Sequence, residues 1–253
     1  MSARLFCFFS AAFAERCLLC GALLGLGCSS GPLSVGDDRV IDAGLTDSGV
    51  NDTTPTDATA AQLLALIAPC MQISTGLLAP APGRTADVQV CGLSNAVFWT
   101  SELAVDCDGK TTTICNRQQD PQYNASTVGK DSMGNSLDAS LVPYVEVPAQ
   151  STIFDYHAAG ISMGSVAVVI YKDRLAYGVI GHEQASDVIG AASYAMAELL
   201  GIDPNPVTGG LETEDVTYFA FTGTSNVVPA LEDETAATQL AKAAAAELVA
   251  TGH

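Results

Sequence analysis

Val166-Ala-Val-Val-Ile-Tyr171 and Leu175-Ala-Tyr-Gly-Val-Ile180 are two apolar runs joined by Lys172-Asp173-Arg174. Short apolar runs rich in β-branched residues around a polar triplet predict a β-hairpin with a three-residue turn. Both arms are apolar on both faces, so the hairpin belongs in the middle of a β-structure. Three further strands are expected nearby. Val97-Phe-Trp-Thr100 is one, and Val216-Thr-Tyr-Phe-Ala-Phe221, ended by Thr222-Gly223, is another. Val142-Pro-Tyr-Val-Glu-Val-Pro148 is the third, and Pro143 restricts it to an edge or a strand start. Helices are predicted over Ala61 to Ala68, stopped by Pro69, and over Ile189 to Leu200, stopped by Gly201. A third helix, Ala-rich with acids in its first turn, is predicted over Glu232 to Ala250. The fold class is mainly β with two or more helices (α+β), as a barrel or sandwich.

The chain has 253 residues, of which 28 are Asp or Glu and 10 are Lys or Arg, a formal net charge of −18. A nucleic-acid binder needs a basic face, so that class is excluded. An acidic domain attracts cations. From residue 61 onward there are 7 basic and 21 acidic residues, 7 minus 21 or −14, so the acidity belongs to the folded part.

The N-terminus reads as a targeting segment. Arg4 and Arg16 precede an uncharged run of 11 residues, Cys17 to Gly27. That is shorter than the roughly 20 residues a membrane span needs, and it fits the apolar region of a signal peptide over residues 1–27. Leu26-Gly27-Cys28-Ser29-Ser30 resembles a bacterial lipoprotein cleavage site, which implies lipidation of Cys28 and an outer-membrane or cell-surface lipoprotein; plain secretion is the alternative. Residues 28–60 carry six Asp against one Arg amid Gly, Ser, Thr and Pro. This composition buries too little apolar area to offset chain entropy, so it reads as a disordered tether before a domain over 61–253. Four cysteines remain in the domain: Cys70, Cys91, Cys107 and Cys115. An even count in an exported chain points to two disulfides. Of three connectivities, Cys70–Cys91 with Cys107–Cys115 is expected, because each pair is close in sequence. No CxxC pair survives in the mature domain and His157 and His182 lie far from these cysteines, so no metal and no cofactor are expected. The domain is expected to be a monomer, touching a membrane only through a lipid anchor at Cys28.

No Walker A or zinc-protease motif is present. Gly160-Ile-Ser-Met-Gly164 spells a nucleophile elbow, but a strand follows it where that motif needs a helix. The informative residues are short blocks in order: Phe98-Trp99, Asp106-Cys107-Asp108-Gly109, Cys115-Asn116, Asp120-Pro121 and Pro143-Tyr144-Val145. They continue through Tyr177-Gly-Val-Ile-Gly181, Ile189-Gly190, Ser193-Tyr194, Asp203-Pro204-Asn205-Pro206 and Phe221-Thr222-Gly223. Over residues 92–225 this set resembles the chitosanases of glycoside hydrolase family 75. The resemblance implies a β-barrel of the double-psi type and internal, inverting hydrolysis of β-1,4-linked glucosamine in chitosan. Inversion needs one carboxylic acid to protonate the leaving oxygen and a second carboxylate to activate water. The resemblance puts these in a Gly-Asp after the second hairpin strand and a Gly-Glu-Ala-Ser after it. In this chain His182 and Ala191 stand at those positions. The chain therefore reads as a degenerate member that binds an amino-sugar polymer. The alternatives are an active chitosanase with relocated acids, Glu183 and Asp187, or a non-catalytic cell-surface interaction module. The plain alternative for His182, Glu183 and Asp187 is a solvated loop. Asp106, Asp108 and Asp120 are candidates to pair with glucosamine ammonium groups, and Tyr144 and Tyr177 to stack on sugar rings.

Overall fold

The computed structural model describes residues 57–252. The expected signal segment, Cys28 and most of the tether lie outside the described residues. Asp57–Ala60 already belongs to the folded part: Ala58 and Ala60 are buried, and Asp57 pairs with Lys242 at 2.5 Å.

Helix α1 spans Ala60–Leu64, opened by a capping box between Thr59 and Gln62. It ends at Leu64 with Ala65 as its C-cap, short of the expected Ala68 and of Pro69. The strands are β1 (Cys91–Gly92), β2 (Ala96–Asp106), β3 (Tyr144–Pro148), β4 (Val166–Tyr171), β5 (Arg174–Gln184), β6 (Ala191–Ser193) and β7 (Leu211–Phe221). Helix α2 is Tyr194–Leu200 and α3 is Glu234–Thr251. The sheet order is β1-β2-β6-β3-β5-β4-β7, and β7 pairs back onto β2. Six strands therefore close into a barrel in which each has two partners and none is an edge.

The hairpin forms as expected, with a tighter turn. Tyr171 pairs with Arg174, so only Lys172 and Asp173 turn the chain, and Lys172 takes φ 58°. Strand β3 is no edge: it pairs with β5 on one side and β6 on the other, and Pro143 only precedes its start. The predicted helix over Ile189 to Leu200 forms only in its second half. Gly190 takes φ +139°, and Ala191–Ser193 pairs in parallel with Ala104–Asp106 of β2. The open slot between β2 and β3 overrides the helix propensity of alanine there. Ser193 then caps α2 by accepting from the Met196 N–H, and Gly201 ends it in left-handed backbone.

The core has two layers. One takes side chains from all six barrel strands, with the Trp99 and Tyr218 rings stacked at 5.2 Å. The other, with Phe98, Tyr144, Phe219 and Phe221, lies beneath α3. There α3 buries Ala237, Ala241, Ala244, Ala245 and Leu248, a stripe of small side chains at helical spacing. The disulfides are Cys70–Cys91 and Cys107–Cys115, the expected pairing.

Candidate active site

A cleft of about 580 Å³ opens on the barrel wall where β2, β6, β3 and β5 lie side by side. Its lining includes Asp106 from β2, Ala191 from β6, Glu146 from β3 and His182 from β5. Seven carboxyl groups line it against one guanidinium, Arg84. Arg84 is committed to Glu102, 2.5 Å away.

Asp106 is fixed by two donors. The Tyr144 hydroxyl lies 2.5 Å from its Oδ2, and the Asp108 N–H donates to its Oδ1 at 3.1 Å. Tyr144 is fully buried, so only this hydroxyl serves the site and the ring presents no stacking face. Burial, reinforced by the Asp106 charge, raises its pKa well above that of a free tyrosine. Asp108 accepts the Asn124 N–H at 2.6 Å through Oδ1. Its Oδ2 faces His182 Nε2 at 3.5 Å. His182 Nδ1 accepts the Val128 N–H at 3.1 Å, which leaves the ring proton on Nε2, toward Asp108. Nδ1 is thus engaged, and Nε2 faces a carboxylate without a hydrogen bond to it. Asp120 is buried and accepts the Gln122 N–H at 2.8 Å. Burial raises its pKa, with the charges of Asp106 and Asp108 adding to the shift.

Strand β5 runs through Gln184, so His182 is a buried strand residue, 8% exposed, rather than a loop residue. Glu183 lines the cleft and accepts the Tyr156 hydroxyl at 2.5 Å. Asp187 does not line it; its backbone carbonyl accepts the Ala79 N–H at 2.8 Å, in the loop before β6. Tyr177 is also away from the cleft. Its ring lies 5.7 Å from the Lys242 ammonium of α3, on the helix-covered side of the barrel. Trp99 is 1% exposed in the core and offers no sugar platform. The structure therefore brings together Asp106, Asp108, Asp120, His182, Glu183 and Ala191, and leaves out Asp187 and Tyr177.

One acid escaped the sequence reading. Glu146 sits in the Val-Glu-Val centre of β3, lines the cleft and is 5% exposed. A lone acid in an otherwise apolar strand was the available signal. Burial, then the charges of Asp106 and Asp108, raise its pKa well above the carboxylate range; the Gln184 side chain opposes the shift. Glu146 Oε1 and Gln184 Nε2 are both buried without a hydrogen-bond partner. Among the described residues, no group of three or more His, Cys, Asp or Glu is arranged to hold a metal ion.

An open, acid-lined cleft across a closed barrel suits an extended chain that carries positive charge. The comparison with known proteins narrows that class. The family model described as fungal chitosanase of glycosyl hydrolase group 75 matches residues 103–252. That is more than half of the chain, and the chain belongs to this family. Two endo-chitosanases of Aspergillus oryzae are each 30% identical to it over 152 residues, 53% of this chain. The match spans 62% of the length of those relatives.

Proposed function

We propose that this domain binds the amino-sugar polymer chitosan in the acidic cleft, and that positions 182 and 191 no longer serve as its acid–base pair. The observation that carries the reading is the charge of the cleft: six carboxyl groups besides the buried Glu146, with the single guanidinium already paired. An ammonium group about 4 Å from a carboxylate gains roughly 4 kcal/mol at an effective dielectric constant of about 20. Asp106 and Asp108, anchored by backbone and tyrosine donors, are the pre-oriented acceptors. By resemblance, positions 182 and 191 would carry the catalytic Asp and Glu. Ala191 has no proton to give, and His182 Nδ1 is taken by the Val128 N–H while its Nε2 faces Asp108 at 3.5 Å. General acid–base groups contribute roughly 10²–10⁴-fold each, so these substitutions remove the turnover that such a pair supplies.

The two disulfides support an exported location. A lipid anchor at Cys28 and a monomeric state remain part of the proposal. The test is titration calorimetry of the full chain with a glucosamine hexamer and with its fully N-acetylated counterpart, in mildly acidic buffer at two salt concentrations. The charged hexamer binds more tightly, and salt weakens it. Equal affinity for the two hexamers overturns the reading and leaves an interaction module that has kept only the scaffold.

A further inference from the structure

Glu146 stands between the two substituted positions. Across β3–β5 it pairs with His182, because the register skips Gly181. Across β3–β6 the antiparallel pair is Val145 with Ala192, so the next residue, Glu146, faces Ala191. The three residues form a row across adjacent strands, about 4.8 Å apart. A methyl group at 191 leaves room in that row for a carboxyl on the neighbouring strand. The Glu146 carboxyl is at the cleft, buried, with one oxygen unpartnered and an unpartnered amide, Gln184 Nε2, beside the same strand pair. Gln184 and Asp106 are the side chains that face this carboxyl, and a buried acid whose hydrogen bonds are incomplete at the wall of a cleft calls for a functional explanation.

We propose that Glu146 is the proton donor of this cleft, replacing by position the acid lost at 182 or 191, and that the domain hydrolyses chitosan slowly with Glu183 as its base. This rests on the reading that the cleft binds chitosan. Burial and the adjacent Asp106 and Asp108 favour the neutral acid, the form a proton donor needs. The groups facing Glu146 are Asp106 and Asp108 from β2 and the loop after it, His182 and Gln184 from β5, and Ala191 from β6. Glu183 pairs with Val147, one residue further along. Strand spacing and rise put its Cα about 6 Å from that of Glu146. Alternation along the strands sends Glu183 to the face of Val147 and Glu146 to the other, and both nevertheless line the same cleft, where inversion requires an acid and a base roughly 6.5–9.5 Å apart.

The step balances. The Glu146 proton passes to the glycosidic oxygen as its bond to C1 breaks. Water adds through oxygen to C1 from the opposite face, and its proton passes to the ionised Glu183. One water is consumed and two chain ends are released. Solvent exchange then returns the proton from Glu183 to Glu146.

The experiment measures reducing ends from soluble chitosan with the full chain and its Glu146→Gln, Glu183→Gln and Glu146→Gln/Ala191→Glu variants. A parallel assay uses a 2,4-dinitrophenyl glycoside of a glucosamine dimer, whose leaving group needs no proton. Binding of the glucosamine hexamer is measured for each protein. Glu146→Gln is expected to lose about 10²-fold or more on chitosan, to keep its rate on the dinitrophenyl glycoside within about 10-fold, and to bind as wild type. Glu183→Gln loses both substrates. The double variant, which moves the carboxyl one strand over, recovers part of the chitosan rate. A wild type that binds the hexamer and releases no reducing ends overturns the inference and leaves the binding reading standing. Equal chitosan rates for wild type and Glu146→Gln also overturn it. Absence of binding throughout removes both.

Discussion

Replacing Glu146 by Gln should stabilise the protein, and increasingly so as pH rises. Glutamine reproduces the neutral carboxylic acid at every pH. In wild type, the folded chain holds the Glu146 proton beyond the usual carboxylate range, because burial and two neighbouring acids raise its pKa. The unfolded chain releases that proton near pH 4.3. Below that value both states are protonated and Glu146 costs nothing. Above it the unfolded state gains by ionising, so wild-type stability falls by about 1.4 kcal/mol per pH unit until the folded group also ionises. For a domain of about 200 residues, each kcal/mol moves Tm by about 2–4 °C. Each such pH unit should therefore separate the two melting curves by roughly 3–6 °C. Glu102, Asp120 and Glu214 also have raised pKa values, but they are present in both proteins and cancel in the difference. The assay is thermal unfolding by circular dichroism from acid to neutral pH. Melting temperatures that stay parallel across that range, or a variant that loses ground as pH rises, would refute a protonated Glu146.

Tyr144→Phe removes the buried donor to Asp106 and should cost about 1.5–3 kcal/mol in urea unfolding, the worth of a hydrogen bond to a charged group. An unchanged midpoint means that Asp106 is served by water instead. Removing Cys70–Cys91 should destabilise more than removing Cys107–Cys115. Their sequence separations are 21 and 8, and loop-closure entropy gives a difference of about 1 kcal/mol. The comparison is made on the two double-serine variants by denaturant unfolding, and a reversed order counts against it. Gly181→Ala should destabilise by about 1–3 kcal/mol through overpacking, because a Cβ there meets Tyr144 Cβ at 2.6 Å and Leu137 Cδ1 at 2.9 Å. Chitosan-hexamer affinity should fall with it, and a variant as stable as wild type would show that the strand gives way freely.

What the sequence made legible was local. The β4–β5 hairpin rests on two apolar runs and their polar joint, and the disulfides on short spacings within an even count. Gly201 as a helix stop needs only its own left-handed backbone. Features that depend on distant pairing were hidden. Residues 189–193 show helical periodicity, yet Ala191–Ser193 becomes a strand because β2 and β3, about 90 and 45 residues earlier, leave a slot for one. Pro143 left an edge or a strand start open, and only the distant pairing decides between them: the proline just precedes β3, removes no ladder donor from it, and β3 lies in mid-sheet. Asp106, Asp108 and Asp120 were legible as candidates because they lie in the acidic segment that resembles the chitosanase family, and all three line the cleft. Glu146 was not. Its meaning depends on the one-residue register skip at Gly181, which sets it opposite His182, and nothing in Val-Glu-Val announces that skip.

The cleft is lined by residues from Ala81 to Glu212 and floored by strands paired across those distances. No contiguous fragment of the chain carries it, so a ligand seated there recognises the closed barrel and little else. Such a ligand raises the global unfolding free energy by RT ln(1 + [L]/Kd). The slowest-exchanging amides across the barrel, including those beneath α3 far from any sugar, should then be slowed by one common factor. Hydrogen exchange at saturating and sub-saturating oligomer would thus read the affinity of the cleft from the side of the barrel opposite to it.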